Sequence, residues 1–174
     1  MKAWEAFFSA CQRRPQTIGA AGWQLNRHVL ALEEELGLDY ASDVRGREPF
    51  FPSMQAVKSN CIQIPTTLPT LDEIIGTDSI DSSDCWKFIL KKSQDSLPHG
   101  HVFTLHAELE GMKLISVMTS LLQHWQSAGV EFYTLKQLHD SLDKSTLPRH
   151  SIEWGEVDGR SGLLAVQGFG THSG

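Results

Sequence analysis

The sequence predicts an α/β domain built on a mostly parallel sheet, and two observations support this fold class. Short apolar stretches typical of strands alternate with amphipathic stretches typical of helices along most of the chain, and such alternation produces βαβ units. The chain has 174 residues, of which 40% are hydrophobic. This length and composition suffice for one domain with a sizeable core, but the chain is short for two domains. We therefore expect residues 1–174 to form a single domain, with an irregular tail over residues 149–174.

The first half of the chain contains two of these alternations. A helix is expected over residues 2–13, where four apolar side chains recur at helical spacing: Trp4, Phe7, Phe8 and Cys11. The small-residue stretch TIGAAG follows as a short strand, and NRHVLALEEELGLDY follows as a helix. Asn26 is a suitable cap for the start of this helix, and Gly37 is a suitable end.

The second half continues the pattern, and two segments depart from it. We expect strands in CIQIPTT, HVFTLHA and VEFYTL, alternating with helices in DSSDCWKFILKKS, GMKLISVMTSLLQHWQSAG and LKQLHDSL. The segment DVRGREPFFPSMQAVKSN is expected to be a long loop because it contains prolines. The tail after Pro148 is Gly-rich, with a last strand at GLLAVQ.

Composition excludes several classes of function. The net charge is −6 and the basic residues are scattered, so no basic surface for nucleic acid is predicted. The three cysteines, Cys11, Cys61 and Cys85, form no C-x-x-C pair and are expected as free thiols in a reduced compartment. Neither a signal peptide nor a membrane-spanning stretch is predicted, which favours a cytoplasmic protein with, at most, peripheral contact with a membrane.

His106 lies where the stretch VFTLHAELEG leaves its predicted strand. In parallel α/β sheets, functional sites lie beyond the carboxyl ends of the strands, and Glu108 and Glu110 follow directly. The alternative is a structural histidine that hydrogen-bonds a backbone carbonyl at a strand end. Position alone leaves both interpretations open.

Asp72 and Glu73 follow another predicted strand, in IPTTLPTLDEIIG. Two prolines hold the turn between the strand and these acids, which places them at the same edge of the sheet as His106. The alternative is a helix N-terminus, because acidic residues favour the first turn of a helix. Taken by itself, the pattern favours the helix start.

Four stretches read together resemble a known family. GAAGWQ, YASDVRG, QIPTTLPTLDEIIG and FTLHAELEG are similar, in order and approximate spacing, to the later motifs of the polysaccharide deacetylase superfamily, which shares the NodB homology domain. Within it, they resemble the branch that deformylates a lipid-linked 4-formamido-arabinose during lipid A modification. The resemblance implies a distorted β/α barrel, here partial and without its N-terminal strands, and a metal-assisted hydrolysis of an amide on a sugar.

The resemblance also implies roles for individual residues. The family holds a divalent, zinc-like metal with an Asp and two His, and a late histidine protonates the leaving amine. His106 matches that histidine, so it is implied to be the general acid, and Asp72 is implied to orient it. Trp23, Arg45 and Glu108 are assigned to the substrate.

Two of these substrate assignments have structural alternatives. Trp23 would form the floor of a sugar pocket, or it would simply be a core side chain. Arg45 would hold the phosphate of a lipid-linked sugar, or it would form a surface pair with Asp43. The phenylalanines of PFFP, residues 49–52, would contact lipid or cover the end of the barrel.

The chain also departs from the family pattern. The early family motifs, which carry the metal ligands, are expected before GAAGWQ and are not found, Gln24 stands where the deformylase has Arg, and Leu71 replaces an aromatic. His99 and His101 are expected as loop histidines. No ligand spacing is found for five others, of which His124 and His139 are expected on helix surfaces: His28, His124, His139, His150 and His172. We therefore expect the C-terminal portion of a deacetylase-like domain that holds no metal alone.

Two classes of function follow from this expectation. One is a hydrolase that works with an N-terminal half or after self-association, on a lipid-linked amino sugar. The other is a non-catalytic remnant, or the partner-binding half of a split deacetylase. The sequence does not choose between them.

Overall fold

The computed structural model describes residues 2–75 and 80–170. The helices in this part of the chain are α1 Lys2–Cys11, α2 Arg27–Leu36, α3 Leu71–Ile75, α4 Cys85–Lys92, α5 Ile115–Ser127 and α6 Leu135–Ser141. The strands are β1 Thr17–Ile18, β2 Tyr40–Ala41, β3 Phe51–Met54, β4 Val57–Lys58, β5 Ile62–Gln63, β6 Arg149–Gly155 and β7 Leu164–Gly170. No described helix is long and apolar enough to cross a membrane.

The first half of the fold follows the predicted alternation. Strands β1, β2 and β5 form a parallel sheet in the order β1-β2-β5. Helix α2 begins at Asn26, whose side chain accepts hydrogen bonds from the backbone of His28 and Val29, and such a cap satisfies donors that the helix leaves unpaired. It ends at Gly37, which adopts the left-handed conformation with φ 63°. The predicted helix, its cap and its end are confirmed.

A second sheet is formed largely by segments that were expected to be irregular. Its order is β4-β3-β6-β7, in which β3 and β6 are parallel and the pairs β3–β4 and β6–β7 are antiparallel. The expected long loop therefore contains the β3–β4 hairpin. The tail forms a hairpin of two seven-residue strands, of which β7 confirms the strand predicted at GLLAVQ and β6 was not predicted. Gln55 and Ala56 turn the first hairpin with φ of 48° and 69°, a conformation usually signalled by Asn-Gly, so the sequence contained no turn signal.

Two predicted strands are absent from the described residues. Residues 101–106 and 130–134 have no regular secondary structure. Val102 makes the main backbone link of the first segment: its carbonyl accepts hydrogen bonds from the backbone N–H groups of Thr67 and Leu68, each at 3.1 Å. A segment with an apolar, strand-like pattern becomes a strand only if its backbone forms a ladder of hydrogen bonds with a neighbouring strand. These two segments form only isolated contacts.

Arg45 joins the two sheets. Its backbone forms isolated parallel bridges with Thr66, after β5, and with Val166, in β7. Its N–H donates to the Ala165 carbonyl at 2.9 Å, and its carbonyl accepts from Gln167 N at 2.7 Å. The backbone of Arg45 therefore holds the C-terminal hairpin against the parallel sheet. Closure of these strands into a partial barrel stays a prediction.

Two apolar clusters form most of the core. The larger one lies between α3, α4 and α5 and includes Leu71, Ile89 and Leu121, all fully buried. The second includes Phe50, also fully buried, and Ala165 of β7. Full burial of such a side chain stabilises the fold by about 1.5–3 kcal/mol. Of the two alternatives for PFFP, contact with lipid is therefore excluded for Phe50, which is covered by the fold.

Two smaller expectations are also settled by burial. Cys61 and Cys85 are buried, Cys11 is exposed, and all three are free thiols, as expected. His139 was expected on a helix surface, but it is 7% exposed and its ring lies 5.2 Å from that of Tyr40. That expectation was wrong because α6 turns this side chain toward the parallel sheet.

Three polar side chains form a buried network between α2 and the parallel sheet. Gln63 Nε2 donates to Asp43 Oδ2 at 2.9 Å and to Glu33 Oε2 at 3.2 Å. Asp43 also accepts a hydrogen bond from Ala20 N at 2.5 Å. Burial, with Asp43 beside it, raises the pKa of Glu33 to about 9. Burial raises the pKa of Asp43 as well.

This network predicts that stability falls as pH rises. The pKa of Glu33 is raised from 4.5 to about 9 on folding, so between those values the folded chain keeps a proton that the unfolded chain releases. Its contribution is fully present below the unfolded value and is lost toward pH 9, by up to about 1.4 kcal/mol per pH unit. Glu33→Gln should flatten this dependence in urea unfolding measured across the window.

The exposed Glu35 of the same helix provides a matched control. Glu35→Gln should leave the pH dependence of the unfolding free energy as in the unmodified chain. Equal slopes for the unmodified chain and the Glu33→Gln variant would contradict a buried, protonated Glu33.

Candidate active site

His106 and Asp72 are brought together by the fold. His106 Nδ1 lies 3.7 Å from Asp72 Oδ1, and the two side chains are 33% and 30% exposed. This is the distance of an ion pair, longer than a hydrogen bond. His106 Nδ1 is itself buried and forms no hydrogen bond among the described residues. The imidazole therefore has solvent access with one nitrogen directed to a carboxylate.

Asp72 is positioned by the first turn of α3. Glu73 Oε2 accepts a hydrogen bond from Thr70 N at 3.0 Å, which is one half of a capping box. The Thr70 hydroxyl donates to Asp72 Oδ1 at 2.5 Å. The interpretation as a helix start is confirmed, since Asp72 and Glu73 lie in the first turn of α3. Asp72 also faces His106, and its role in catalysis stays a prediction.

The backbone of His106 is held by a π-helical turn, Leu109–Lys113. The His106 N–H donates to Glu110 Oε2 at 2.7 Å, and its carbonyl accepts from the N–H groups of Leu109 and Glu110. Glu110 is 4% exposed, so this contact is shielded from water. Single π-turns are frequent at functional sites, and this one follows the irregular segment, residues 101–106, where a strand was expected.

Two arginines surround the carboxylate of Glu73. Arg45 Nη1 lies 2.5 Å and Arg160 Nε 2.9 Å from the same oxygen, Glu73 Oε1. Arg160 Nη2 also lies 2.8 Å from Asp72 Oδ2. Glu73 is 2% exposed, and a buried carboxylate requires such partners. Sequence reasoning missed Arg160, whose only signal was its place in the tail stretch VDGRSGLLAVQ.

Trp23 is buried at this cluster. Its ring is 5% exposed, with the guanidinium of Arg45 4.8 Å and that of Arg160 5.1 Å from the ring centroid. Its indole N–H donates to the Thr66 hydroxyl at 3.3 Å. Stacking on a sugar stays a prediction for Trp23, which in this structure contacts two cations instead.

The remaining predicted site residues have different surroundings. Arg45 is 8% exposed and Asp43 is fully buried in the network with Glu33, so the alternative of a surface Asp43–Arg45 pair is wrong. Glu108 is exposed, and none of the described contacts joins it to His106. Gln24 donates to the Leu163 carbonyl at 3.1 Å and thus contacts the C-terminal hairpin. The substrate roles of Arg45 and Glu108 stay predictions.

Comparison with known proteins supports the family expected from the motifs. The chain is 35% identical over 150 residues to a probable 4-deoxy-4-formamido-L-arabinose-phosphoundecaprenol deformylase ArnD of Shewanella sediminis, covering 84% of the chain and 46% of that protein. The same identity holds over 151 residues with the ArnD protein of Wigglesworthia glossinidia brevipalpis, covering 86% and 52%. The predicted resemblance to the deformylases is confirmed. The chain spans about half the length of these relatives.

A solved structure supports the fold in the same way. The crystal structure of a putative polysaccharide deacetylase from Mycobacterium smegmatis superimposes with a TM-score of 0.60 at 16% identity, covering 90% of the chain and 59% of that protein. The mixed α/β architecture is therefore that of a polysaccharide deacetylase. No family model matches the chain.

The donor set at the site does not fit a divalent metal. Such an ion needs several free carboxylate or imidazole ligands, but Asp72 and Glu73 are each bound to a guanidinium. Residues 2–75 and 80–170 contain no group of three metal-binding side chains. Both ring nitrogens of His101 are already hydrogen-bonded, Nδ1 with the Thr67 hydroxyl and Nε2 with the Asp95 carbonyl. We therefore derive no reaction step through a metal held by these residues.

Proposed function

We propose that this chain supplies the acid side of a sugar deformylase site. The reaction would be hydrolysis of the formamide C–N bond on a 4-formamido-arabinose linked to undecaprenyl phosphate, the compound in the names of the relatives. The observation that supports this most directly is His106, which lies in a motif of the family and has Asp72 beside Nδ1.

The proposed step is proton donation to the leaving amine. After a water oxygen has added to the formyl carbon, the C–N bond breaks, and the amine nitrogen takes the bonding electron pair and the proton of the His106 imidazolium. The carbon leaves as formic acid, which ionises to formate. Asp72 lies 3.7 Å from Nδ1, which leaves Nε2 as the nitrogen that delivers the proton. A positioned donor of this kind typically contributes 10²- to 10⁴-fold in rate.

Metal-assisted activation of water, as in the deacetylase superfamily, would have to use groups other than those around His106. The proposed activity therefore needs a second part of the site, supplied by an N-terminal deformylase segment or another chain. A lipid-linked substrate favours action at a membrane surface with peripheral contact, and the family resemblance implies the cytoplasmic face.

Reconstitution tests this function. The chain is coexpressed with the N-terminal half of the Shewanella sediminis deformylase, and formate release from the lipid-linked formamido sugar is measured with Zn²⁺ present. We expect release only when both parts are present, and loss of release with His106→Ala. Association of the two parts without any formate would contradict the proposal and favour a non-catalytic, partner-binding role.

A further inference from the structure

The geometry points to Arg160 as the positioning residue for Asp72 and, through it, for His106. This role rests on the proposed function, in which His106 is the acid. Arg160 lies in the connection between β6 and β7, 87 residues along the chain from Glu73. It reaches the site only because the C-terminal hairpin is held against the parallel sheet.

Arg160 contacts three side chains of one short segment. Its Nη2 lies 2.8 Å from Asp72 Oδ2 and donates to Thr70 Oγ1 at 3.1 Å. Its Nε donates to Glu73 Oε1 at 2.9 Å. A planar guanidinium with several fixed donors determines orientation as well as charge. Arg160 thereby fixes the first turn of α3 on the side that faces His106.

These contacts decide which oxygen of Asp72 faces the histidine. Oδ2 is taken by Arg160, and Oδ1 receives the Thr70 hydroxyl and lies 3.7 Å from His106 Nδ1. Without Arg160, only the Thr70 hydroxyl among the described hydrogen bonds would hold this carboxylate. Rotation about χ2 of Asp72 would then be free to exchange the two oxygens opposite His106 Nδ1.

Arg160 is itself held in place by its neighbour. Gly159 has φ of 81°, and a Cβ at this position would overlap the carbonyl oxygen of Glu73. Glycine is therefore required where the two backbones approach so closely. The side chain of Arg160 is 22% exposed, so it is fixed by the fold at its backbone and by three acceptors at its tip.

Arg160 also sets the charge that His106 meets. The described charged groups next to His106 are Asp72, which faces Nδ1, and Glu110, which accepts its backbone N–H. Arg160 partly neutralises Asp72 at 2.8 Å. Its removal should leave a less compensated carboxylate beside the ring, and an unbalanced negative charge favours the imidazolium form.

The test uses the full chain labelled with ¹⁵N-histidine. In Arg160→Gln, the ring nitrogen signals of His106 at neutral pH should move toward the imidazolium positions, and in Asp72→Asn they should move the opposite way. Arg160→Lys keeps the charge but loses the planar guanidinium with its several fixed donors. It should give a smaller shift in the same direction as Arg160→Gln. Arg47→Gln, the same change at an exposed arginine, should leave the His106 signals in place.

The outcomes separate the two proposals because this readout needs no turnover. Unchanged His106 signals in Arg160→Gln and Arg160→Lys would overturn the positioning role, even in an active reconstituted enzyme. If Arg160→Gln does not fold, Arg160→Lys decides alone: a shift supports the role and its absence overturns it. Shifted signals in the chain, together with a reconstituted pair that never releases formate, would leave Arg160 as assigned and contradict only the proposed function.

Discussion

Replacing His106 by alanine is expected to lower turnover by roughly 10² to 10⁴ when this chain stands in for the corresponding segment of a complete deformylase. The reason is the loss of the proton donor at the moment when the C–N bond breaks, an interaction made in the transition state. Turnover should therefore fall while substrate binding changes little. Steady-state formate release by the exchanged enzyme and its His106→Ala variant measures both quantities.

Two further substitutions bracket this result. Asp72→Asn should weaken turnover less than His106→Ala, because it misorients the donor without removing it. Replacing His99 and His101 together should do much less, since His101 is bound to Thr67 and the Asp95 carbonyl. Near-normal turnover of the His106→Ala enzyme would make this histidine structural, and the motif would then be inherited without its chemistry.

Replacing Arg45 by alanine is expected to lower the free energy of unfolding by about 3 kcal/mol, the lower end of the cost of breaking a buried ion pair. Glu73 would stay buried with one cation fewer, and the Leu68 carbonyl would lose a donor at 2.9 Å. The value lies at the lower end because Arg160 still binds Glu73 Oε1. Urea unfolding followed by circular dichroism measures it.

A nearby arginine and a double substitution serve as controls. Arg47→Ala, at an exposed position, should change stability by less than about 0.5 kcal/mol. The Arg45→Ala, Glu73→Ala double variant should cost less than the sum of the two single changes, because the partners interact. Strict additivity would mean that the two side chains contribute independently, contrary to a direct ion pair.

Sequence patterns predicted correctly those features that depend on residues close together along the chain. Asn26 and Gly37 bound α2 as expected, because helix caps are formed by contacts within a few residues. The β3–β4 hairpin was missed for the opposite reason. Its turn uses Gln55 and Ala56 in a conformation typical of glycine and asparagine, so the turn is imposed by pairing with β6 and by packing around Phe50.

The candidate site also has a part that the sequence predicted and a part that it did not. His106 and Asp72 could be identified from motif order, and the fold places them 3.7 Å apart. The strand predicted to carry His106 is a segment without regular structure followed by a π-helical turn. Strand formation needs a partner edge, and no local pattern states whether that edge exists.

The sequence by itself determined the α/β class, the two ends of α2, the free thiols and the family motif that contains His106. Only the tertiary structure decided the raised pKa of Glu33 beside Asp43 and the placement of Arg160 against Asp72 and Glu73. Both depend on residues far apart in the chain that meet in an environment with little water. The energy of a buried charge is set by that environment and its partners, which sequence spacing does not encode.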